Sequence, residues 1–185
     1  VRTIKFGFKI YFFGSIQHKK KSIPNLLRKA NQMNILFTLV DRNISIMGCR
    51  TFGCTGTATY DLTLYDCSDE KNPRSLQKLN CTLNATDRVD ELVQLKFAKG
   101  IPVQANVKYA LVCRTSGNLH AYGQNGLVTV NGPDGTKFDF SYATYFNPKG
   151  GRTSTHTGQL PQILYDNDSG KQIQVSFKYC ELTIS

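Results

Sequence analysis

Val128-Thr-Val-Asn-Gly-Pro-Asp-Gly-Thr-Lys-Phe-Asp-Phe140 places two short alternating runs around Asn131-Gly132 and Asp134-Gly135. Those dipeptides supply the positive-φ positions of a tight reversal, so the segment reads as a β-hairpin. The same period of two recurs along the chain. Ile4, Phe6, Phe8, Ile10 and Phe12 alternate with Lys5, Gly7, Lys9 and Tyr11. Tyr60, Leu62 and Leu64 form one face, as do Val93, Leu95 and Phe97; Val107, Tyr109, Leu111 and Cys113; and Ile173, Val175, Phe177 and Tyr179. Strands of this kind bury one face and wet the other. With turn signals also at Asn125-Gly126 and Ser169-Gly170, the spacing predicts an all-β, antiparallel sandwich of about nine to eleven strands. One segment reads as helix: Ser22 caps Ile23–Ala30, with Pro24 in the first turn.

The net charge of +10 is unevenly placed. Residues 1–33 hold Arg2, Lys5, Lys9, Lys19, Lys20, Lys21, Arg28 and Lys29 and no acid, leaving 15 basic against 13 acidic residues in the rest. The sequence therefore divides into a basic arm, residues 1–33, and a near-neutral domain, residues 34–185. The arm is expected to dock a strand through Ile4–Phe13. A near-neutral body lacks the concentrated basic face that nucleic-acid binding needs. No apolar run reaches the ~18 residues of a spanning helix.

Six cysteines (Cys49, Cys54, Cys67, Cys81, Cys113 and Cys180) form no C-x-x-C pair and have no matching His pair, so no metal is expected. Cys49 and Cys113 lie in apolar strand patterns, where a free thiol behaves as a small hydrophobe. That favours a reducing, intracellular setting. Sequons at Asn43, Asn80, Asn84 and Asn167 keep a second class open, a secreted, disulfide-bonded β-sandwich that binds a glycan or receptor. No phosphate loop, dinucleotide fingerprint or nucleophile elbow occurs, so no cofactor is expected. His18, His120 and His156 are scattered and read as polar loop residues.

Several short motifs carry a resemblance by their order. They are Phe37, Asp41-Arg42, Ile44 and Gly48; Phe52-Gly53; Thr59–Leu64; Asn106-Val107 and Tyr109, with Ala105 where a proline is usual; Tyr122-Gly123 and Gly126; Phe138, Phe140 and Tyr142; Gly151, Thr153 and Ser154; and Gly158-Gln159-Leu160-Pro161 with Ile163. Over roughly residues 34–165 the chain resembles the PHR domain of the Pam/Highwire ubiquitin ligases and of BTB–BACK–PHR adaptors. The segment Ile23–Gln32 departs from the aromatic, glycine-rich opening of that family, and the loop at Thr51–Thr57 is altered. The resemblance implies a sandwich with conserved loops at one end and at most one or two short helices. It also implies a non-catalytic protein-recognition role in ubiquitin conjugation, as in synapse development, with the isolated domain a monomer. The partner-binding loop residues are then Arg50, Phe52, Gly53, His120, Tyr122, Gly123, Arg152, Thr153, Ser154 and His156. Arginine and aromatic residues on rigidly mounted loops are the usual anchors of an interface.

Overall fold

The computed structural model describes residues 32–53, 56–87, 92–116, 123–124, 127–141, 157–158, 160–167 and 172–176. The expected docked strand at Ile4–Phe13 and helix at Ile23–Ala30 lie outside the described residues. Twelve strands are described: β1 Gln32–Val40, β2 Ile44–Phe52, β3 Ala58–Asp66, β4 Arg74–Leu83, β5 Leu92–Val103, β6 Lys108–Ser116, β7 Gly123–Gln124, β8 Thr129–Asn131, β9 Lys137–Ser141, β10 Thr157–Gly158, β11 Gln162–Asp166 and β12 Gln172–Ser176. A 3-10 turn at Ala85–Asp87 is the single helical element among the described residues. β1 takes in Gln32 and Met33, which the sequence reading assigns to the arm.

All described pairings are antiparallel. A six-stranded sheet runs β4-β3-β6-β1-β9-β8 and a four-stranded sheet runs β12-β11-β2-β5. Alternation drives the packing. Tyr60, Leu62 and Leu64 of β3 and Leu111 and Cys113 of β6 enter one core with Ile46 and Cys49 of β2, Leu95 and Phe97 of β5, and Ile163 and Tyr165 of β11. The two sheets therefore bury their facing sides against each other, and the expected sandwich is what forms. Phe138 of β9 meets Tyr165 of the opposing sheet edge-on, ring centroids 5.0 Å apart.

One end of the sandwich, called basal here, is tied by polar contacts. In the hairpin between β8 and β9, Gly135 has φ +83° and its N–H donates to the Gly132 carbonyl at 3.0 Å. The Asp134 carboxylate accepts from the Tyr165 hydroxyl at 2.6 Å, the Thr136 hydroxyl at 2.9 Å and the Asn167 side-chain amide at 3.1 Å. Gly132 leaves room for this, since a Cβ there would stand 2.1 Å from the Tyr165 hydroxyl. Asp41 accepts from the Lys137 backbone N–H at 3.0 Å, and Arg42 donates to the Gly135 carbonyl at 3.4 Å. Asn106 adopts the left-handed conformation (φ +59°), and its N–H donates to the Val40 carbonyl at 2.8 Å. The Gln104 N–H donates to the Tyr109 hydroxyl at 3.0 Å, and the Ala105 N–H to the Asn43 side-chain oxygen at 2.8 Å.

Burial opposes ionisation of Asp134, but the hydrogen bonds from Tyr165, Thr136 and Asn167 outweigh it and hold the carboxyl at about 2. Burial first, then the bond to Asp134, pushes the Tyr165 phenol well above its ordinary value. The folded pKa of Asp134 is depressed, so its contribution is present above the ordinary aspartate range and is lost as pH falls toward 2. Asp134→Asn is expected to cost about 1–2 kcal/mol at neutral pH, after allowance for solvent screening. Thermal melts from pH 7 to pH 2 check this: the native and Asn proteins should converge at the acid end, and a constant gap would refute the assignment.

Candidate functional site

The end opposite the hairpin is the apical end. β2, β4 and β6 finish there and β3, β5 and β11 begin there, because Phe52 pairs with Leu92, Leu83 with Ala58, Ser116 with Thr59, and Arg50 with Gln162. β1 also starts at this end, Gln32 opposite Thr115, and β9 runs toward it. The connections 53–57, 84–91, 117–122 and 142–156 leave from these strand ends. The topology thus gathers at one end the described strand ends that flank all three loop groups singled out in the sequence.

Arg50 is half-buried on the outer side of the four-stranded sheet. It stands in one row with Gln94 of β5 and Gln162 of β11. Its Nε donates to the Gln94 side-chain oxygen at 3.3 Å, which fixes the direction of the guanidinium. Phe52 is 7% exposed and Gly53 is buried, so the Phe52 ring packs at the rim and is not an exposed contact. Gly123 in β7 pairs with Gly158 in β10. Gly158 is four residues from Gln162, a chain length of at most about 14 Å. That ladder therefore keeps Gly123 within about 20 Å of the row that holds Arg50. His120, Tyr122, Arg152, Thr153, Ser154 and His156 lie outside the described residues. In sequence, Tyr122 adjoins Gly123 and His156 adjoins Thr157, the two ends of the ladder.

The rim is further pinned by side chains that sequence reasoning passed over. The Thr57 hydroxyl donates to the Asn84 side-chain oxygen at 2.8 Å, and the Asn84 N–H donates to the Asp87 carboxylate at 2.6 Å. The hydroxyls of Thr59 and Ser116 hydrogen-bond across β3 and β6. Only the Asn84-Ala-Thr-Asp87 run, a common capping pattern, hinted at the Asn84–Asp87 contact.

The remaining chemistry of the described residues is that of a core. A void of about 10 Å³ among Val40, Leu64, Leu111 and Ile163 is too small to hold a ligand. Cys49, Cys67, Cys81 and Cys113 are free thiols. Burial pushes Cys113 up to about 12 and Cys67 up to about 11, and raises Cys49 and Cys81 as well. Thiols held protonated in this way are poor nucleophiles and poor metal ligands. No group of three or more His, Cys, Asp or Glu suited to a metal occurs among the described residues.

Comparison with known proteins decides the family. The PHR domain matches residues 26–166, most of the chain. The chain belongs to the PHR domain family. It is 28% identical over 169 residues to the E3 ubiquitin-protein ligase MYCBP2 of Danio rerio, covering 80% of this chain and 4% of that protein. It is 30% identical over 139 residues to the E3 ubiquitin-protein ligase highwire of Drosophila melanogaster, covering 72% of this chain and 3% of that protein. Relatives of this PHR domain are thus parts of ubiquitin ligases many times its length.

Within the PHR domain, several motif residues have structural duties. Gly48 has φ +143° at an irregularity between β2 and β5, and a Cβ there would stand 2.0 Å from the Leu95 carbonyl oxygen. Asp41, Arg42, Asn106 and Tyr109 serve the basal end described above. Gly48→Ala is expected to lower stability by at least about 2 kcal/mol, through backbone strain and displacement of β5. Chemical denaturation measures it, and a loss under ~0.5 kcal/mol, the usual range for a harmless surface change, would show that the close approach is not needed.

Proposed function

We propose that this PHR domain is a non-catalytic protein-recognition module of an intracellular ubiquitin-ligase system of the Pam/Highwire type, and that it binds its protein partner at the apical end. The observation that carries this reading is the pairing of Gly123 with Gly158 within a few residues of the Arg50–Gln162 row. It links the strand ends from which the Tyr122 and Arg152 loops depart to the rim that carries Arg50. Loops mounted on a rigid sandwich are where recognition concentrates, since the scaffold limits the entropy lost on binding. The described thiols, raised by burial, support a non-catalytic role, and the naming of its relatives as ubiquitin-protein ligases supports the setting. The side-chain amide of Asn167, one of the four sequons, is engaged with Asp134 inside the basal network, which weighs against modification there.

Tyr122→Ala and Arg152→Ala are expected to leave the thermal midpoint nearly unchanged, as surface changes usually do. Each is expected to weaken capture of a protein partner by about 1–2 kcal/mol or more if it is a binding anchor. Quantitative pull-down followed by calorimetry with the purified partner checks both. Unfolded variants would make these loops structural, and undiminished capture would move the binding face elsewhere. Alkylation of the denatured, non-reduced protein is expected to label all six cysteines. Two or more intact disulfides would overturn the intracellular setting in favour of the secreted alternative.

A further inference from the structure

The charge of the domain is unevenly spread between its two sheets. β2, β5 and β12 contain no acidic residue, and β11 contains one, Asp166, at the basal end opposite Ser45. The four-stranded sheet therefore carries Arg50, Lys96 and Lys99 against a single carboxylate. The ion pairs Arg74–Asp66, Lys108–Glu70 and Lys137–Asp139 belong to the other sheet and its turns.

Alternation puts these cations on the outer face. Cys49, Leu95 and Phe97 enter the core. Arg50, Gln94 and Lys96 alternate with them and so face outward. Arg50 is directly opposite Gln94, and Lys96 stands two residues further along β5, about 7 Å away. Gln94, Lys96, Ala98 and Lys99 are all exposed. β5 is also an edge, since among the described strands it pairs with β2 alone. Its length is 12 residues, and an edge of that length offers backbone N–H and C=O groups to a further strand.

We propose that an acidic, extended segment of the protein partner adds to β5 as a fifth strand of this sheet, with its carboxylates on the outer face against Arg50, Lys96 and Lys99. Such a partner presupposes the recognition role proposed above. Three features select it. The step from the Arg50–Gln94 row to Lys96 equals the step between alternate residues of a strand, so carboxylates at every second position meet both. Arg50 leans toward the edge, because its Nε donates to Gln94 of β5 at 3.3 Å, and an added strand would lie about 4.8 Å beyond that residue. No carboxylate of β2 or β5 competes for these cations. Lysines on an edge strand also deter self-association. That role alone predicts aggregation when they are removed, and no capture of an acidic peptide.

The test uses the full chain and a fluorescein-labelled peptide that alternates Glu and Thr over 12 residues, the length of β5. Fluorescence anisotropy at low salt is expected to show binding that weakens as salt rises. Lys96→Gln with Lys99→Gln is expected to weaken it about tenfold, as is Arg50→Gln. Lys78→Gln with Arg114→Gln, exposed cations of the six-stranded sheet, is expected to change it less than about twofold. Lys19→Ser with Lys20→Ser and Lys21→Ser, in the basic arm, is expected to do the same. A peptide of equal charge with proline at alternate Thr positions is expected to bind about tenfold more weakly, because proline removes ladder donors. No binding, binding lost through the arm or the other sheet instead, or equal binding of the proline peptide or of a single-stranded DNA of the same charge would overturn the proposal. If thermal melts show that Arg50→Gln is unfolded, a benzophenone amino acid at Gln94 decides, with a crosslink to the peptide expected and its absence overturning the added strand. Tyr122→Ala separates this site from the apical loops: partner capture lost in that variant, with no peptide binding in the native chain, keeps the apical role and removes the acidic strand.

Discussion

The hydrogen bond from Tyr165 to Asp134 is the constraint on which the architecture turns. It joins a strand of the four-stranded sheet to a hairpin of the six-stranded sheet, across the side chains that separate them. Phe138 packs against the same tyrosine ring, so one residue supplies both apolar and polar contact between the layers. A carboxylate that accepts three side-chain hydrogen bonds stays ionised despite its partial burial. The contact also needs an absence of side chain at Gly132, which lets the hydroxyl reach the turn.

Because the basal end is held in this way, the two ends of the sandwich differ in kind. The basal turns are short and exchange backbone and side-chain hydrogen bonds with each other, as Asp41 does with Lys137 and Asn43 with Ala105. The apical end carries the longer connections, and its fixed points are the rim contacts Arg50–Gln94, Thr57–Asn84 and Thr59–Ser116. A rigid rim under longer loops is an arrangement suited to recognition, and it accords with a domain found in very large ubiquitin ligases.

The outer face of the central strands is dry as well as the inner one. Ala110 and Val112 are as dry as the core residues beside them. A strand buried on both sides loses the alternation that marks a half-exposed one. β6 is such a strand, with Tyr109, Ala110, Leu111, Val112 and Cys113 buried in succession. The same holds for β11, where Gln162, Ile163, Leu164 and Tyr165 are all buried in succession.

Local pattern alone was enough for the antiparallel strands at Thr59–Leu64, Val93–Phe97 and Tyr109–Cys113 and for the hairpin between Val128 and Phe140, because each depends on residues close in sequence. The order of short motifs also pointed to the PHR domain. The loop residues of the candidate site were legible only as a composition, since nothing local says that Gly123 pairs with Gly158 or that Arg50 faces Gln94. Phe52 illustrates the limit: an aromatic–glycine pair reads equally well as a contact or as a packed rim, and burial decides for packing. Gly48 sits within a strand, and its need for glycine is not local, because the carbonyl that excludes a Cβ comes from Leu95, far along the chain. Periodicity and turn chemistry are properties of neighbours, and the sequence holds them outright. Which ends meet, which face is covered and which carboxylate a tyrosine reaches are relations between distant segments, and only the folded chain brings those segments together.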